Sequence, residues 1–393
     1  MEESVNYRKR SLLLFAFFVL MYGAQSVTQG YMSAVLDEYG FTPTQMGLLL
    51  SIPPLVALVA QPLMGVLADK AKTKNRVLLI LFLLSGITLF LYNAGTGFLF
   101  FAVIMSVYTF LENPITPIVN AVTLESVPKQ NYSRIRAGGT IGYALVVFGC
   151  SGLIKNSIDI IFYLGGALTV LVAFFTLTLP KVPGGSHGKR MNPLVLLKDK
   201  RILRLMPFML VLGISFGFYS SFYPVHLKAL APENAMSLVG LANGFAAACE
   251  IPFLLFGNKL IKKFGFSKVL VLLGAVTSVR WLLYALIGNA AWLTGLQALH
   301  GLGQASILTT VCQQMDIYTD DKYKASGQAL VALSNSTVGR IIGATVGGWV
   351  CEFLTVPQVF AILFVLCSVT VAVYAAVATR AEKKERSAQL DAN

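Results

Sequence analysis

Residues 250–304 read EIPFLLFGNKL-IKKFGFSKVL-VLLGAVTSVR-WLLYALIGNA-AWLTGLQALH-GLGQ, a series of apolar runs with a few ionisable side chains inside them. Glu250, Arg280 and His300 each lie near the middle of a separate hydrophobic segment. A charge at the centre of a bilayer costs about 3 kcal/mol on insertion scales. Such residues persist where they face a polar cavity and have partners there. The three positions therefore predict a buried polar site among membrane-spanning helices.

The composition is that of a membrane protein. Of the 393 residues, 56% are hydrophobic and 12% are charged, whereas a soluble domain has about 25% charged residues. A helix of about 20 apolar residues crosses roughly 30 Å of hydrocarbon. We therefore predict an all-α integral membrane protein with twelve spans, at 11–36, 44–68, 77–94, 97–127, 134–155, 158–180, 205–231, 236–260, 268–288, 290–315, 324–354 and 357–380.

The distribution of the positive charges predicts the orientation. The net charge is +13, and on the twelve-span map 27 of the 31 Lys and Arg residues fall on one side. Lys155 and Lys228 are on the opposite side, and Arg280 and Arg340 lie within spans. This is the positive-inside pattern, with both termini cytoplasmic. It favours a membrane partner over nucleic acid. The first span follows Arg8-Lys9-Arg10 and lacks a small-residue cleavage site, so we expect it to be retained.

Two spans of the first half carry candidate site residues. Gln25 shares a helical face with Tyr22 and Gln29, and contact with a ligand and hydrogen bonding between helices are equally open for it. Glu112 is deep in span 4, where Pro114 is expected to interrupt the helix. An intramembrane carboxylate indicates function, and the alternative is a structural partner of a basic group.

Span 5 contains Arg136 and Tyr143, seven residues apart and on one helical face. Arg presents a planar fork of donors, and Tyr presents a flat ring with a polar tip. The pair suits a ring that bears hydroxyls or a carboxylate. Arg134, nearer the surface, is expected to anchor the span. The glycines at 138, 139 and 142 predict a close helix contact.

The second half adds further polar side chains. Gln304 follows His300 by four residues and Gln297 by seven, on one helical face. Arg340 is expected in the cavity, where it could pair with Glu112 or Glu250, and a purely structural ion pair is the alternative. Glycines spaced by four in the same span predict a packing face, at positions 339, 343 and 347.

The stretch Gly65-Val66-Leu67-Ala68-Asp69-Lys70, followed by Lys72, Lys74 and Arg76, resembles the loop between helices 2 and 3 of the major facilitator superfamily. A weaker copy at 257–263 lies 192 residues later. The offset suggests two six-helix bundles, 1–180 and 205–380, with a cytoplasmic linker 181–204 and a tail 381–393. The resemblance implies that Gly65, Asp69 and Lys70 take part in gating at the cytoplasmic side.

A narrower resemblance rests on Ser278-Val279-Arg280, Leu299-His300, Gln61 to Gly65, and Arg134-x-Arg136 followed by Gly-Tyr. It is to lactose permease and the oligosaccharide–proton symporters, with the phenylpropionate-type permeases as related analogues. It implies that Arg136 and Glu250 hold substrate hydroxyls, Tyr143 stacks on the ring, and His300 hydrogen-bonds the substrate. Arg280 would lie beside the coupling carboxylate. Two positions depart from the pattern: the binding carboxylate of span 4 falls at Asn120, and the coupling carboxylate falls at Gly303.

These features favour a secondary transporter with alternating access, most simply a proton symporter of a sugar or glycoside. Glu112 or Glu250 would take the proton, within a charge network that includes Arg280 and Arg340. Uptake of an aromatic or organic acid or a nucleoside stays open, as does an uncoupled facilitator, and drug efflux is less favoured. No nucleotide-binding motif occurs. We expect a monomer in a bacterial cytoplasmic membrane, with no cofactor, metal or enzymatic activity.

Overall fold

Helices make up the fold. The computed structural model describes residues 2–154, 158–185, 193–320 and 323–390, which form α-helices, short 3-10 turns and one π-helical segment but no strand. The α-helices are α1 (Glu2–Gln29), α2 (Met32–Glu38), α3 (Pro43–Lys70), α4 (Lys74–Leu91), α5 (Phe98–Glu112), α6 (Ile115–Ser126), α7 (Lys129–Ile154), α8 (Ile160–Phe175), α9 (Lys200–Leu230), α10 (Ala235–Phe264), α11 (Phe266–Leu286), α12 (Ala290–Gly295), α13 (Gln304–Tyr318), α14 (Lys324–Ala332), α15 (Arg340–Val350) and α16 (Val356–Leu390). The 3-10 turns are Tyr92–Ala94, Thr176–Thr178, Pro193–Lys198, Pro232–Asn234 and Leu296–Leu302, and the π-helical segment is Leu333–Gly339.

Ten helical segments of the described residues are long and apolar enough to cross a membrane. The 26-residue α7 covers the fifth predicted span. The tenth predicted span is not a continuous helix, so that prediction is wrong in its local geometry: α12, the 3-10 turn Leu296–Leu302 and α13 follow one another there. Large apolar side chains such as Trp292 and Phe353 are more than 70% exposed. This exposure suits a protein surrounded by lipid.

The chain forms two compact units. One comprises Met1–Gly188 and Leu227–Ala248, and the other comprises Lys189–His226 and Cys249–Asn393. The start of α10 therefore belongs with the first unit. The division into bundles at 1–180 and 205–380 stays a prediction.

In the first unit, α1 packs along α7 through small residues. A Cβ added at Gly142 would lie 2.0 Å from the carbonyl oxygen of Val19, and one at Gly138 would lie 2.8 Å from that of Phe15. Only glycine allows the two backbones to approach this closely. The close contact predicted from the glycines of span 5 is confirmed, and its partner is α1.

In the second unit, α9 packs against the π-helical segment and α15 in the same way. A Cβ at Gly339 would lie 2.7 Å from the Cα of Gly213, and one at Gly343 would lie 2.1 Å from the carbonyl oxygen of Ile214. The packing face predicted from the glycines of span 11 is confirmed. This contact brings α9, which carries Phe216 and Tyr219, alongside the helix that carries Arg340.

Candidate functional site

Arg280 is the centre of a polar cluster in the second unit. Its side chain is only 1% exposed and lies on α11, which is otherwise strongly apolar. Both Nε and Nη2 donate to the hydroxyl of Tyr284, at 3.1 and 3.0 Å, and Nη2 also donates to Oε1 of Gln297 at 2.9 Å. Nη1 lies 3.0 Å from Nδ1 of His300. Each nitrogen of the guanidinium therefore has a partner, as a buried arginine requires.

Aromatic rings enclose the guanidinium. Its Cζ lies 4.4 Å from the ring centroid of Tyr219, 5.0 Å from that of Trp281 and 5.1 Å from that of Tyr284. A cation over aromatic faces is stabilised by the ring quadrupole, most strongly where water is excluded. The Tyr219 hydroxyl also donates to Oε1 of Gln297 at 3.0 Å. The rings therefore hold the charge in place without a carboxylate in direct contact among the described side chains.

His300 connects Arg280 to a carboxylate. Its Nε2 lies 3.4 Å from Oε1 of Glu250. His300 is 8% exposed, whereas the Glu250 side chain is 24% exposed. The ring of His300 also lies 5.9 Å from that of Phe216. Glu250, Arg280 and His300 are thus joined in one chain of contacts, and their role as a binding site stays a prediction.

Local backbone geometry explains how α10 and the tenth span meet. Gly301 lies so close to α10 that an added Cβ would be 1.7 Å from the carbonyl oxygen of Cys249. The 3-10 turn Leu296–Leu302 contains this contact, and Gly303 follows its last residue. Because Cys249 precedes Glu250, the close approach places that carboxylate beside His300. At position 303, where the resemblance expects the coupling carboxylate, the residue is glycine. A Cβ there would lie 3.2 Å from the carbonyl oxygen of His300.

Gln304 and Arg340 lie farther along the same unit. The side-chain amide nitrogen of Gln304 donates to Oδ1 of Asn335. Asn335 is fully buried, and its Nδ2 donates to the carbonyl oxygen of Met209 at 2.9 Å. Arg340 is exposed, and its Cζ lies 5.6 Å from the ring centroid of Phe216. Its predicted pairing with Glu112 or Glu250 stays a prediction.

A second polar cluster occupies the first unit. Glu112 ends α5 and is 7% exposed, and the helix break predicted at Pro114 is confirmed because α6 starts at Ile115. Nε2 of Gln25 donates to Oε1 of Glu112 at 2.6 Å, and Nε2 of Gln29 is 3.4 Å from the same oxygen. The carboxylate is therefore held by amides of the facing helix α1.

Arg136 lies across the ring of Tyr22. Its Cζ is 4.1 Å from that ring centroid and 5.9 Å from the centroid of Phe18. Arg136 is half-buried, and Arg134, which was predicted to lie nearer the surface, is exposed. The cation–π contact between Arg136 and Tyr22 joins α7 to α1.

Tyr143 and Asn120 are not among the contacts described for Glu112 and Arg136. Tyr143 is half-buried and lies near Tyr31, whose hydroxyl donates to the carbonyl oxygen of Val147 at 2.7 Å. Oδ1 of Asn120 is buried and accepts no hydrogen bond in the described part of the protein. A buried acceptor without a donor is costly unless water or a ligand supplies one.

The candidate gating residues lie at the end of α3. Lys70 is its last residue, Asp69 is half-buried, and Gly65 lies one turn earlier.

The contacts at the start of α4, next to these residues, were not predicted from the sequence. The buried Lys74 forms an ion pair with Glu125. Asn75 donates to the carbonyl oxygen of Pro180 and accepts from the amide of Val182, both at 3.1 Å. Partners so distant in the chain leave no local signal in the sequence. The one indication is that Lys74 begins α4 just before a long apolar run.

Comparison with known proteins agrees with this fold. The sequence model described as "MFS_1 like family" matches residues 11–381. The chain belongs to the MFS_1 like family. It is therefore a major facilitator superfamily transporter and a multi-pass membrane protein, as the resemblance in its sequence implied. Family and relatives are transporters, which supports the expectation that the protein is not an enzyme.

Two relatives in sequence span most of the chain. Maltose permease of Geobacillus stearothermophilus is 25% identical over 364 residues, covering 90% of this chain and 90% of the permease. Nucleoside permease NupG of Escherichia coli (strain K12) is 23% identical over 371 residues, covering 88% of this chain and 87% of the permease. The family member described here is thus similar to permeases with names that indicate two different solutes.

A solved structure shares the fold. The crystal structure of nucleoside transporter NupG superposes with a TM-score of 0.81 at 20% identity, covering 93% of this chain and 98% of that one. This likeness establishes the architecture of the MFS_1 like protein. The predicted major facilitator fold is therefore confirmed.

Proposed function

We propose that this protein takes up a nucleoside by secondary active transport, with alternating access and proton coupling. The observation that supports it best is the pairing of Glu250 with His300 beside the rings of Phe216 and Tyr219. A carboxylate and an imidazole suit vicinal hydroxyls of a ribose, and aromatic faces suit a flat base. Relatives named for nucleoside transport, in both sequence and structure, favour this solute over the sugar that we first expected.

Sugar uptake is the second candidate. The similarity to maltose permease favours it, and hydroxyl groups would meet the same Glu250–His300 pair. A free sugar has no flat heterocycle, so the two candidates differ in whether aromatic contacts contribute to affinity. In both cases we propose that Arg136, Tyr143, Gln25, Asn120 and Gln304 also take part in binding.

Proton coupling would use a carboxylate other than one at position 303. Glu250 is partly exposed and next to His300, and Glu112 is buried among amides. We propose that one of these two accepts the proton, with Arg280 and Arg340 in the surrounding charge network. We also propose that Gly65, Asp69 and Lys70 act in gating, and that both termini are cytoplasmic in a bacterial inner membrane.

The test is uptake into proteoliposomes that contain the purified protein. Labelled uridine, adenosine and maltose are supplied with an inward proton gradient, with and without a protonophore. We expect nucleoside accumulation that the protonophore abolishes, and its loss in Glu250→Gln. Glu233→Gln changes an exposed carboxylate in the turn before α10 and is the matched control. Accumulation of maltose alone would reject the nucleoside, and unchanged uptake by Glu250→Gln would reject the site.

A further inference from the structure

A separate cavity of about 230 Å³ lies at the other end of the second unit, near the start of α9. None of the site residues described above lines it. Its lining combines basic, aromatic, polar and apolar residues: Arg201, Arg204, Leu205, Phe266, Ser267, Gln314, Tyr318, Tyr374, Val377 and Ala378. A mixed lining of this kind suits a ligand with an anionic head and an apolar body.

Two arginines supply the charge. Arg201 lies over the ring of Tyr318, with its Cζ 4.8 Å from the centroid, and also pairs with Asp199 at 2.7 Å. This pairing lowers the pKa of the Asp199 carboxyl, so Asp199 stays charged at neutral pH. Arg204, one turn along α9, is exposed and has no carboxylate partner among the described residues. One arginine is therefore neutralised, and Arg204 keeps a full positive charge at the cavity.

The amino terminus of α11 opens onto the same cavity through Phe266 and Ser267. This 21-residue helix follows Gly265, whose φ of 81° turns the chain, and no side chain caps its first amides. The first amides of a helix have no partner within it and carry the positive end of the helix dipole. They are therefore donors available to an anion.

Gln314 is the independent indication of a ligand. Its side chain lines the cavity, is only 3% exposed, and has one terminal atom, assigned as Oε1, without a hydrogen-bond partner. The other terminal atom is bonded to the Tyr318 hydroxyl at 2.7 Å. A tyrosine hydroxyl both donates and accepts, and the two ends of an amide are interchangeable by a flip. The flipped amide keeps the Tyr318 bond and leaves an N–H group at the cavity lining without an acceptor.

We propose that this cavity binds a phosphate group. Arg204, the α11 amides and the Gln314 amide provide charged and neutral donors for its oxygens, and arginine and helix amino termini are common phosphate ligands. Leu205, Val377 and Ala378 add apolar side chains to the lining. The phosphate belongs either to an anionic phospholipid or to a free phosphate compound. Basic pockets between spanning helices are known to hold lipid head groups.

The test is ligand binding, which does not depend on transport. The full-length protein is purified in detergent, stripped of lipid, and titrated by native mass spectrometry. The probes are phosphatidylglycerol, phosphatidylcholine with the same acyl chains, and inorganic phosphate. We expect Arg204→Gln to weaken phosphatidylglycerol binding about tenfold, as for loss of one charge-assisted contact. Gln314→Met, which keeps the side-chain volume, should weaken it by a smaller factor.

Lys259→Gln removes an equal charge from α10, at an exposed residue that does not line the cavity, and should leave binding unchanged. A lipid source would be identified if phosphatidylglycerol binds more tightly than phosphatidylcholine and if Arg204→Gln, but not Lys259→Gln, removes this preference. Binding of inorganic phosphate that competes with the lipid would support the site with a free source. Equal affinity for both lipids without phosphate binding, or equal losses in Arg204→Gln and Lys259→Gln, would overturn the proposal.

Discussion

Nη1 of Arg280 lies 3.0 Å from Nδ1 of His300, and this contact determines which nitrogen of the imidazole carries the proton. A guanidinium only donates hydrogen bonds, so Nδ1 must be the acceptor. The neutral ring therefore carries its proton on Nε2, which faces Oε1 of Glu250 at 3.4 Å. Protonation of Nδ1 would remove the acceptor that Arg280 uses. Glu250, which is also more exposed, is thus better placed than His300 to gain a proton while the cluster stays intact.

Arg280→Lys should abolish most transport although it keeps the charge. A lysine cannot reproduce three directed contacts to Tyr284, Gln297 and His300. Leaving buried acceptors unsatisfied costs about 1–3 kcal/mol each, so we expect at least a tenfold loss of uptake and a lower thermal midpoint. Uptake and thermal unfolding of the purified protein measure both. Arg134→Lys, at an exposed position, should match wild type. Wild-type uptake by Arg280→Lys would contradict this account.

Substitutions at His300 separate its two nitrogens. In His300→Asn the amide oxygen can replace Nδ1 as acceptor for Arg280, but nothing reaches Glu250. In His300→Gln the longer amide reaches toward Glu250 instead. We expect His300→Asn to keep the thermal midpoint and lose uptake. His300→Gln should keep part of the substrate affinity and lower the midpoint. The opposite pattern would show that the two contacts have been assigned to the wrong roles.

Glu112 offers a test of charge against hydrogen bonding. Glu112→Gln retains an oxygen that accepts from Gln25, so the protein should fold. Glu112→Leu leaves the Gln25 amide without an acceptor and should destabilise the protein by about 1–3 kcal/mol. If Glu112 carries the coupled proton, Glu112→Gln will equilibrate substrate but not accumulate it. Gradient-driven accumulation by Glu112→Gln would assign the proton to Glu250.

Two glycines of α7 should respond to alanine with opposite signs. At Gly142 the new Cβ would lie 2.0 Å from the Val19 carbonyl oxygen, whereas at Gly149 nothing lies within 4 Å. Gly142→Ala forces α1 and α7 apart and should cost about 1–3 kcal/mol or more. Gly149→Ala should stabilise the helix by up to about 1 kcal/mol. Thermal midpoints in one detergent provide the comparison. Equal shifts would mean that this helix contact is not formed as described.

Lys228 balances two carboxylates at the end of α2. Its Nζ lies 2.7 Å from Oδ2 of Asp37 and 2.6 Å from Oε2 of Glu38. Acidic groups at a helix carboxyl terminus are unfavourable without a nearby cation. Lys228→Met should lower stability by about 1 kcal/mol, the upper range for partly exposed pairs. The triple variant with Asp37→Asn and Glu38→Gln should recover most of that loss. If it falls further instead, repulsion is not the cause.

The sequence predicted the helices, and three residues that it singled out, Glu250, Arg280 and His300, are in contact in the structure. Charges within apolar segments are costly, so Glu250, Arg280 and His300 could be expected to meet. Tyr284 escaped notice because a tyrosine in an apolar run carries no comparable penalty, although it follows Arg280 by one turn. The break in the tenth span was also missed. Gly295, Gly301 and Gly303 were its signal, but glycine is common in membrane helices and does not by itself specify a 3-10 turn.

The 3-10 turn Leu296–Leu302 makes the site sensitive to helical winding. At three residues per turn, positions three apart are eclipsed, so Gln297 and His300 point the same way and both reach Arg280. Rewinding these seven residues into an α-helix would shorten them by about 3.5 Å and rotate the two side chains about 60° apart. The guanidinium would then have to give up one of the two contacts. A change in the winding of this short segment would therefore move His300, and with it the contact to Glu250, while α11 stays in place.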